Sequence, residues 1–141
     1  MLVVDASVAI KFVTQEADSE AATALLASDH SLTAPDWVLI ECASGLAKKV
    51  SHHGLPQADA QERYAALPNF FVRFHPSVEL LDQALQLSFD LDHPIYDCLY
   101  LASALSDDGL LITADREFVA SARRGGFGTC VCLLADWDGS A

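Results

Sequence analysis

Four acidic residues stand inside the most apolar stretches of the sequence: Asp5 in LVVDAS, Glu41 in WVLIECASGL, Asp97 in HPIYDCLYLA and Asp115 in LLITAD. Burying an unpaired carboxylate is costly or forces the group to take up a proton. Carboxylates are hard oxygen donors, so a divalent cation such as Mg2+ held among several of them would offset that cost and bring Lewis-acid chemistry with it. Three of the four also have an ordinary structural reading. Asp5 can cap the turn into Ser7, Asp97 lies in the first turn after Pro94, where its charge suits the helix dipole, and Asp115 can N-cap the helix that follows it. Glu41 has no such reading. It is mid-helix, too far from Asp36 to serve that helix's start, with Ser44 and Lys48 as its polar neighbours and a distant Arg as the alternative partner.

The elements that must position these acids alternate strand and helix. MLVV reads as a strand ending at Asp5, with Ser7 capping a short helix through Val13. Asp18 precedes a helix over 19–27, and SLTA (31–34) is a second strand ending at Pro35. The stretch 36–49 reads as a helix apolar nearly all round, hence buried on most sides. Gly54-Leu55-Pro56 breaks the chain before a polar, exposed helix over 57–67. FFVRF (70–74) reads as a third strand, and 78–89 as a helix whose apolar residues Val78, Leu81, Leu85 and Phe89 fall near helical spacing. Pro94 suits the first turn of a helix over 95–105. After the turn at 107–109 come the strand LLIT, a helix over 116–123 and a last strand over 129–134.

Strands with continuous apolar runs, separated by helices, argue for a parallel sheet covered on both faces. The expected fold is one α/β domain spanning 1–141, a three-layer sandwich with a mainly parallel central sheet flanked by helices. In such sheets functional residues gather beyond the carboxyl ends of the strands. Asp5 and Asp115 fall there, and the following helices give Glu41 and Asp97 a route to the same edge.

Composition narrows the setting. Hydrophobic residues make up 52% of the 141, and only 7 are glycines, as in a globular chain. No apolar run approaches the ~20 residues needed to span a bilayer. The start carries an acid at position 5 and no basic n-region, unlike a secretory signal, so a cytoplasmic protein is expected. Cys42, Cys98, Cys130 and Cys132 form no Cys-x-x-Cys pair and His30, His52, His53, His75 and His93 do not recur at ligand spacing, so buried reduced thiols are expected rather than a zinc site. The net charge of −12, from 20 acids against 8 bases, excludes a broad basic nucleic-acid footprint and favours cations or a basic protein partner.

In order and at compatible spacing, Asp-Ala-Ser (5–7), Glu41, Tyr-Asp-Cys-Leu-Tyr-Leu-Ala (96–102) and Leu-Ile-Thr-Ala-Asp (111–115) resemble the PIN-domain ribonucleases, and more narrowly the VapC toxins of type II toxin–antitoxin pairs. The likeness runs from Leu2 to Leu134. It implies that Asp5, Glu41, Asp97 and Asp115 are an acidic catalytic quartet for Mg2+ or Mn2+, with Ser7 and Thr113 as polar supports. It also implies an endoribonuclease toxin inhibited by a cognate antitoxin, usually a homodimer. Asp5 and Asp97 are expected as the most direct metal contacts, with Glu41 and Asp115 holding waters or a second ion. Lys48, Lys49, Arg116, Arg123 and Arg124 are the available phosphate contacts; Trp37, Tyr96 and Tyr100 could stack bases but read first as core packing.

Other classes remain beside this reading. A receiver domain also gathers acids around Mg2+, but it needs adjacent acids after the first strand, an acceptor Asp ending the third and a Lys after the fifth; here the third strand ends RFHPS and the last runs into LLADWDG. A PIN nuclease of RNA processing and a non-catalytic binding module complete the alternatives.

Overall fold

Leu2, Val3 and Val4 form strand β1 (Leu2–Val4) and are fully buried, because β1 lies at the centre of a sheet covered on both faces. The computed structural model describes residues 1–141. On either side of β1 lie β2 (Leu32–Pro35) and β4 (Leu110–Thr113), with β3 (Arg73–His75) and β5 (Val131–Leu133) at the edges. The order is β3-β2-β1-β4-β5 and every pairing is parallel. Chain direction across the sheet therefore reverses between β1 and β4, paired Val4 to Ile112 at their carboxyl ends.

Alternation along the strands divides the core in two. Leu2, Val4 and Ile112 point to one face, with Val8, Ala22, Leu25, Leu32 and Leu134, under helix α1 (Ala6–Ala9) and helix α2 (Ser19–Leu26). Val3, Ala34 and Leu111 point to the other and larger core, covered by α3 (Trp37–His53), α5 (Ser77–Leu91), α6 (Ile95–Ser106) and α7 (Arg116–Arg124). The polar helix α4 (Gln57–Ala66) buries none of its residues. Helix α6 is the centre of the larger layer: Cys98 through Ala104 are all buried, and it packs on β1, β2, β4 and α5. Each fully buried Leu or Ile there contributes ~1.5–3 kcal/mol of transfer free energy. No helix is long and apolar enough to cross a membrane.

Local expectations in α1, α3, β3 and α5 are corrected. Asp5, not Ser7, caps α1, which gives way after Ala9 to a 3-10 turn over Ile10–Phe12. Helix α3 continues four residues past Lys49 to His53, because nothing interrupts it before Gly54 takes the left-handed conformation at φ 72°. Its burial is a single stripe, Val38, Cys42 and Leu46, and Ile40 is 57% exposed. The third strand is displaced: Leu67–Phe70 is a 3-10 turn with Pro68 in its opening, so the first bond to β2 comes from the Val72 amide and the strand itself starts at Arg73. In α5 the buried stripe is Leu80, Ala84, Leu87 and Leu91, whereas Val78, Leu81, Leu85 and Phe89 all face solvent. Val78 and Leu80 are two residues apart and so lie about 200° apart around the helix, which gives α5 two apolar faces, one packed and one bare.

Candidate functional site

Asp5 is the first residue after β1 and Thr113 the last of β4, so the reversal in strand order brings them side by side. The Thr113 hydroxyl donates to Asp5 Oδ2 and accepts from the Asp115 amide at 3.1 Å. On the other oxygen, the Ser7 hydroxyl donates to Asp5 Oδ1 at 2.5 Å while accepting from the Ala114 amide at 3.0 Å. The Val8 amide also donates to Oδ1, at 3.2 Å, so Asp5 is the N-cap of α1. Both hydroxyls thus tie the β1 end to the β4 end through one carboxylate.

Asp5 is 6% exposed and pairs with no cationic side chain. Burial pushes its pKa from 3.8 up to about 6, against the lowering pull of Ser7, Thr113 and Val8, and the negative charge of Asp97 adds to the rise. Glu41 shares the tendency. Burial raises its pKa, the Tyr100 hydroxyl that donates to Oε1 at 2.6 Å lowers it, and Asp97 raises it again. The Trp37 indole Nε1 is buried with no partner at hydrogen-bond distance, yet lies near enough to draw the Glu41 pKa down. Tyr100 is itself fully buried, and its phenol pKa is strongly raised by that burial and by the Glu41 charge.

Asp97 sits in the first turn of α6 and acts electrostatically on both Asp5 and Glu41. Its Oδ2 lies 2.6 Å from His93 Nε2, and since a carboxylate can only accept, the proton of that bond belongs to the imidazole. The His93 ring rests edge-on against Phe118, centroids 4.8 Å apart. Asp115 reaches the same sheet edge through Thr113, but its Oδ1 accepts from the Phe118 amide at 3.1 Å as the N-cap of α7. Gly45 sets the spacing of α3: a Cβ there would meet Ile10 Cδ1 at 2.7 Å, so the helix carrying Glu41 approaches the segment that follows Asp5.

The structure therefore brings Asp97 within electrostatic reach of both Asp5 and Glu41, and joins the Asp115 backbone amide to Asp5 through the Thr113 hydroxyl. No group of three or more His, Cys, Asp or Glu side chains is closed up into a ready set of metal ligands. The donor chemistry nevertheless fits a hard divalent cation: the carboxylates of Asp5, Glu41 and Asp115 have no positive partner of the protein's own, and burial disfavours the ionised form of the first two. The four cysteines are free thiols, with Cys42 and Cys98 buried in helices and pushed up to about 12 and about 11 by that burial. Among the bases, Lys49 lies 3.8 Å from Glu16, while Lys48, Arg116, Arg123 and Arg124 are exposed.

Two partners of the acids were not singled out from sequence. Tyr100 packs in the core, as expected, but its hydroxyl serves Glu41; the signal was a phenol one turn beyond Asp97 in an otherwise apolar helix. His93 holds Asp97 across an i, i+4 step, a spacing that was there to be read.

Comparison with known proteins agrees with this layout. Residues 2–123 match the PIN domain family. The chain is 30% identical over 118 residues to Ribonuclease VapC3 of Pyrobaculum aerophilum, covering 82% of this chain and 90% of that one. The crystal structure of PAE2754 from the same organism superposes with a TM-score of 0.68 at 21% identity, over 95% of this chain and 90% of that one. With the acids placed on this sheet edge and the match extending through β4 and α7, the chain belongs to the PIN-domain family and is of the VapC type.

Proposed function

We propose that residues 1–141 act as a single nuclease domain, a divalent-metal-dependent endoribonuclease that is the toxin of a toxin–antitoxin pair. The observation that carries this reading is the buried, uncompensated Asp5 at the β1–β4 reversal, with Asp97 adding negative charge beside it and acting on Glu41 as well. Asp5 and Asp97 are the residues to hold Mg2+ or Mn2+ directly, with Glu41 and Asp115 orienting waters around it or holding a second ion. Bound there, the cation supplies the Lewis acidity that makes water a competent nucleophile at neutral pH and offsets charge on the scissile phosphate.

The chain's own groups do the positioning. Ser7, Val8 and Thr113 fix both oxygens of Asp5, so its carboxylate is set before any ligand arrives. Tyr100 fixes Glu41 and His93 fixes Asp97. Hydrolysis by water needs no attack by the 2′-hydroxyl, so the expected products carry 5′-phosphate and 3′-hydroxyl ends.

The relative named Ribonuclease VapC3 supports an RNA substrate. The same reading makes the chain a cytoplasmic toxin held by a protein antitoxin, whose basic side chain would find charge complementarity at the acidic edge. The bare stripe of α5 supports a homodimer. The deciding experiment is end-mapped RNA sequencing after induced expression of wild type, Asp5→Asn and Asp97→Asn. Cleavage confined to wild type, abolished by EDTA and leaving 5′-phosphates, is the expected result; full activity in both variants, or cyclic phosphate ends, would sink the proposal.

A further inference from the structure

Helices α3 and α6 meet along two rungs. On the inner rung the Tyr100 hydroxyl donates to Glu41. On the outer rung the rings of Trp37 and Tyr96 stack, with centroids 5.2 Å apart and planes 13° from parallel. Residues 37 and 41, like 96 and 100, are four apart, so the outer rung lies ~6 Å along both helices toward their N-termini. Trp37 is the first residue of α3 and Tyr96 the second of α6, and neither helix start carries a side-chain cap.

Burial separates the two rings. Trp37 packs against the larger core, and its start of helix is locked: its amide donates to Ser77 Oγ at 3.0 Å, and the Ser77 amide donates to Asp36 Oδ1 at 3.1 Å. Tyr96 is 53% exposed, although Tyr100 on the same face of α6 is 1% exposed. Trp37 covers one face of the Tyr96 ring, which leaves the opposite face toward solvent, on the residue that precedes Asp97 in α6. Core packing accounts for Trp37 and Tyr100 but not for Tyr96.

We propose that the free face of Tyr96, backed by Trp37, is a stacking platform for a nucleobase of single-stranded RNA, holding the nucleotide beside the one whose phosphate lies at Asp5 and Asp97. This rests on the nuclease reading. A chain with a net charge of −12, in which Asp97 repels both Asp5 and Glu41, cannot gather RNA there by charge alone. An uncharged π contact grips the substrate without placing a cation among the metal-seeking acids, and it accepts any base because every base has a π face. The amides at the start of α6, which no side chain caps, offer the adjoining phosphate donors at the positive end of that helix dipole.

The test pairs Tyr96→Ala with Tyr96→Phe on a short single-stranded RNA carrying 2-aminopurine beside the cleavage site. Steady-state kinetics are read in the otherwise wild-type enzyme, and 2-aminopurine quenching in an Asp5→Asn background that halts turnover. Tyr96→Ala is expected to raise KM about tenfold, leave kcat within about twofold and abolish the quenching, while Tyr96→Phe retains wild-type values for all three. Wild-type KM and quenching in Tyr96→Ala, with cleavage intact, overturn the platform and leave the nuclease reading standing. Loss of a protein partner in Tyr96→Ala with RNA KM unchanged also overturns it, since the occupant is then a peptide. If wild type neither binds nor cleaves RNA, platform and nuclease reading fall together.

Discussion

Asp5 is held by three donors and still carries a pKa of about 6, so desolvation outweighs the hydrogen bonds. The sign of its effect on stability follows. Its proton is bound more tightly in the fold than in the unfolded chain, where it titrates near 3.8. The stabilising contribution is therefore complete below pH 3.8 and is lost as pH rises through about 6. In chelator, Asp5→Asn should match wild type at pH 3 and exceed it by ~3 kcal/mol at pH 7.5; urea midpoints across that range check this, and equal midpoints at pH 7.5 would contradict it. Millimolar Mg2+ should then raise the Tm of wild type but not of the Asn variant, because only the carboxylate rewards the cation. Tyr100→Phe removes the donor that lowers the Glu41 pKa. Glu41 should titrate higher in that variant by carboxyl-carbon NMR, with a stability loss of ~1.5–3 kcal/mol above its pKa. At this scale the sequence showed which residues are anomalous, since an acid flanked by Val, Ile and Leu is visible on its own. It did not show Tyr100 as Glu41's partner, because a contact across 59 positions has no local signature.

Helix α7 shows how one residue serves an element and a site together. Asp115 caps the helix through the Phe118 amide, and its own backbone amide donates to the Thr113 hydroxyl that holds Asp5. Substitution can separate the two: Asp115→Ser keeps a capping oxygen and should stay within ~0.5 kcal/mol of wild type, while Asp115→Ala should lose ~1 kcal/mol, and both should lose RNA cleavage. Thermal melts beside a cleavage assay distinguish these outcomes. Helix α5 was legible as a helix but not in its orientation. Its sequence carries two apolar stripes on opposite faces, and periodicity alone gives no ground for choosing between them. Leu87→Ala should cost ~2–5 kcal/mol and Phe89→Ser less than ~0.5 kcal/mol in the monomer, the reverse of what the spacing of Val78, Leu81, Leu85 and Phe89 suggests. Strand β3 moved for a different reason. The five residues FFVRF look like a strand, but Pro68 lacks an amide to donate and the preceding turn tightens to 3-10 geometry, so Phe70 is spent before pairing begins.

Across the whole molecule, the parallel sheet and its two covers follow from continuous apolar strands alternating with helices, and that much was readable. Strand order was not readable, because nothing local places β4 beside β1 rather than beside β3. That neighbour relation makes the site. Asp5 gains Thr113 only through it, from 108 positions away. A chain ending at Ser106, before β4, should keep helical circular dichroism but show no cooperative melt and no nuclease activity, since β1 would be left without one of its two neighbours.

The same separation has a temporal meaning. Asp5 leaves a ribosome 108 residues ahead of Thr113, and loop closure over that span comes late in folding. The candidate site cannot assemble until the residues between Asp5 and Thr113 have all been made. On the proposed nuclease reading, an activity divided in this way stays silent until β4 has been synthesised and has paired with β1.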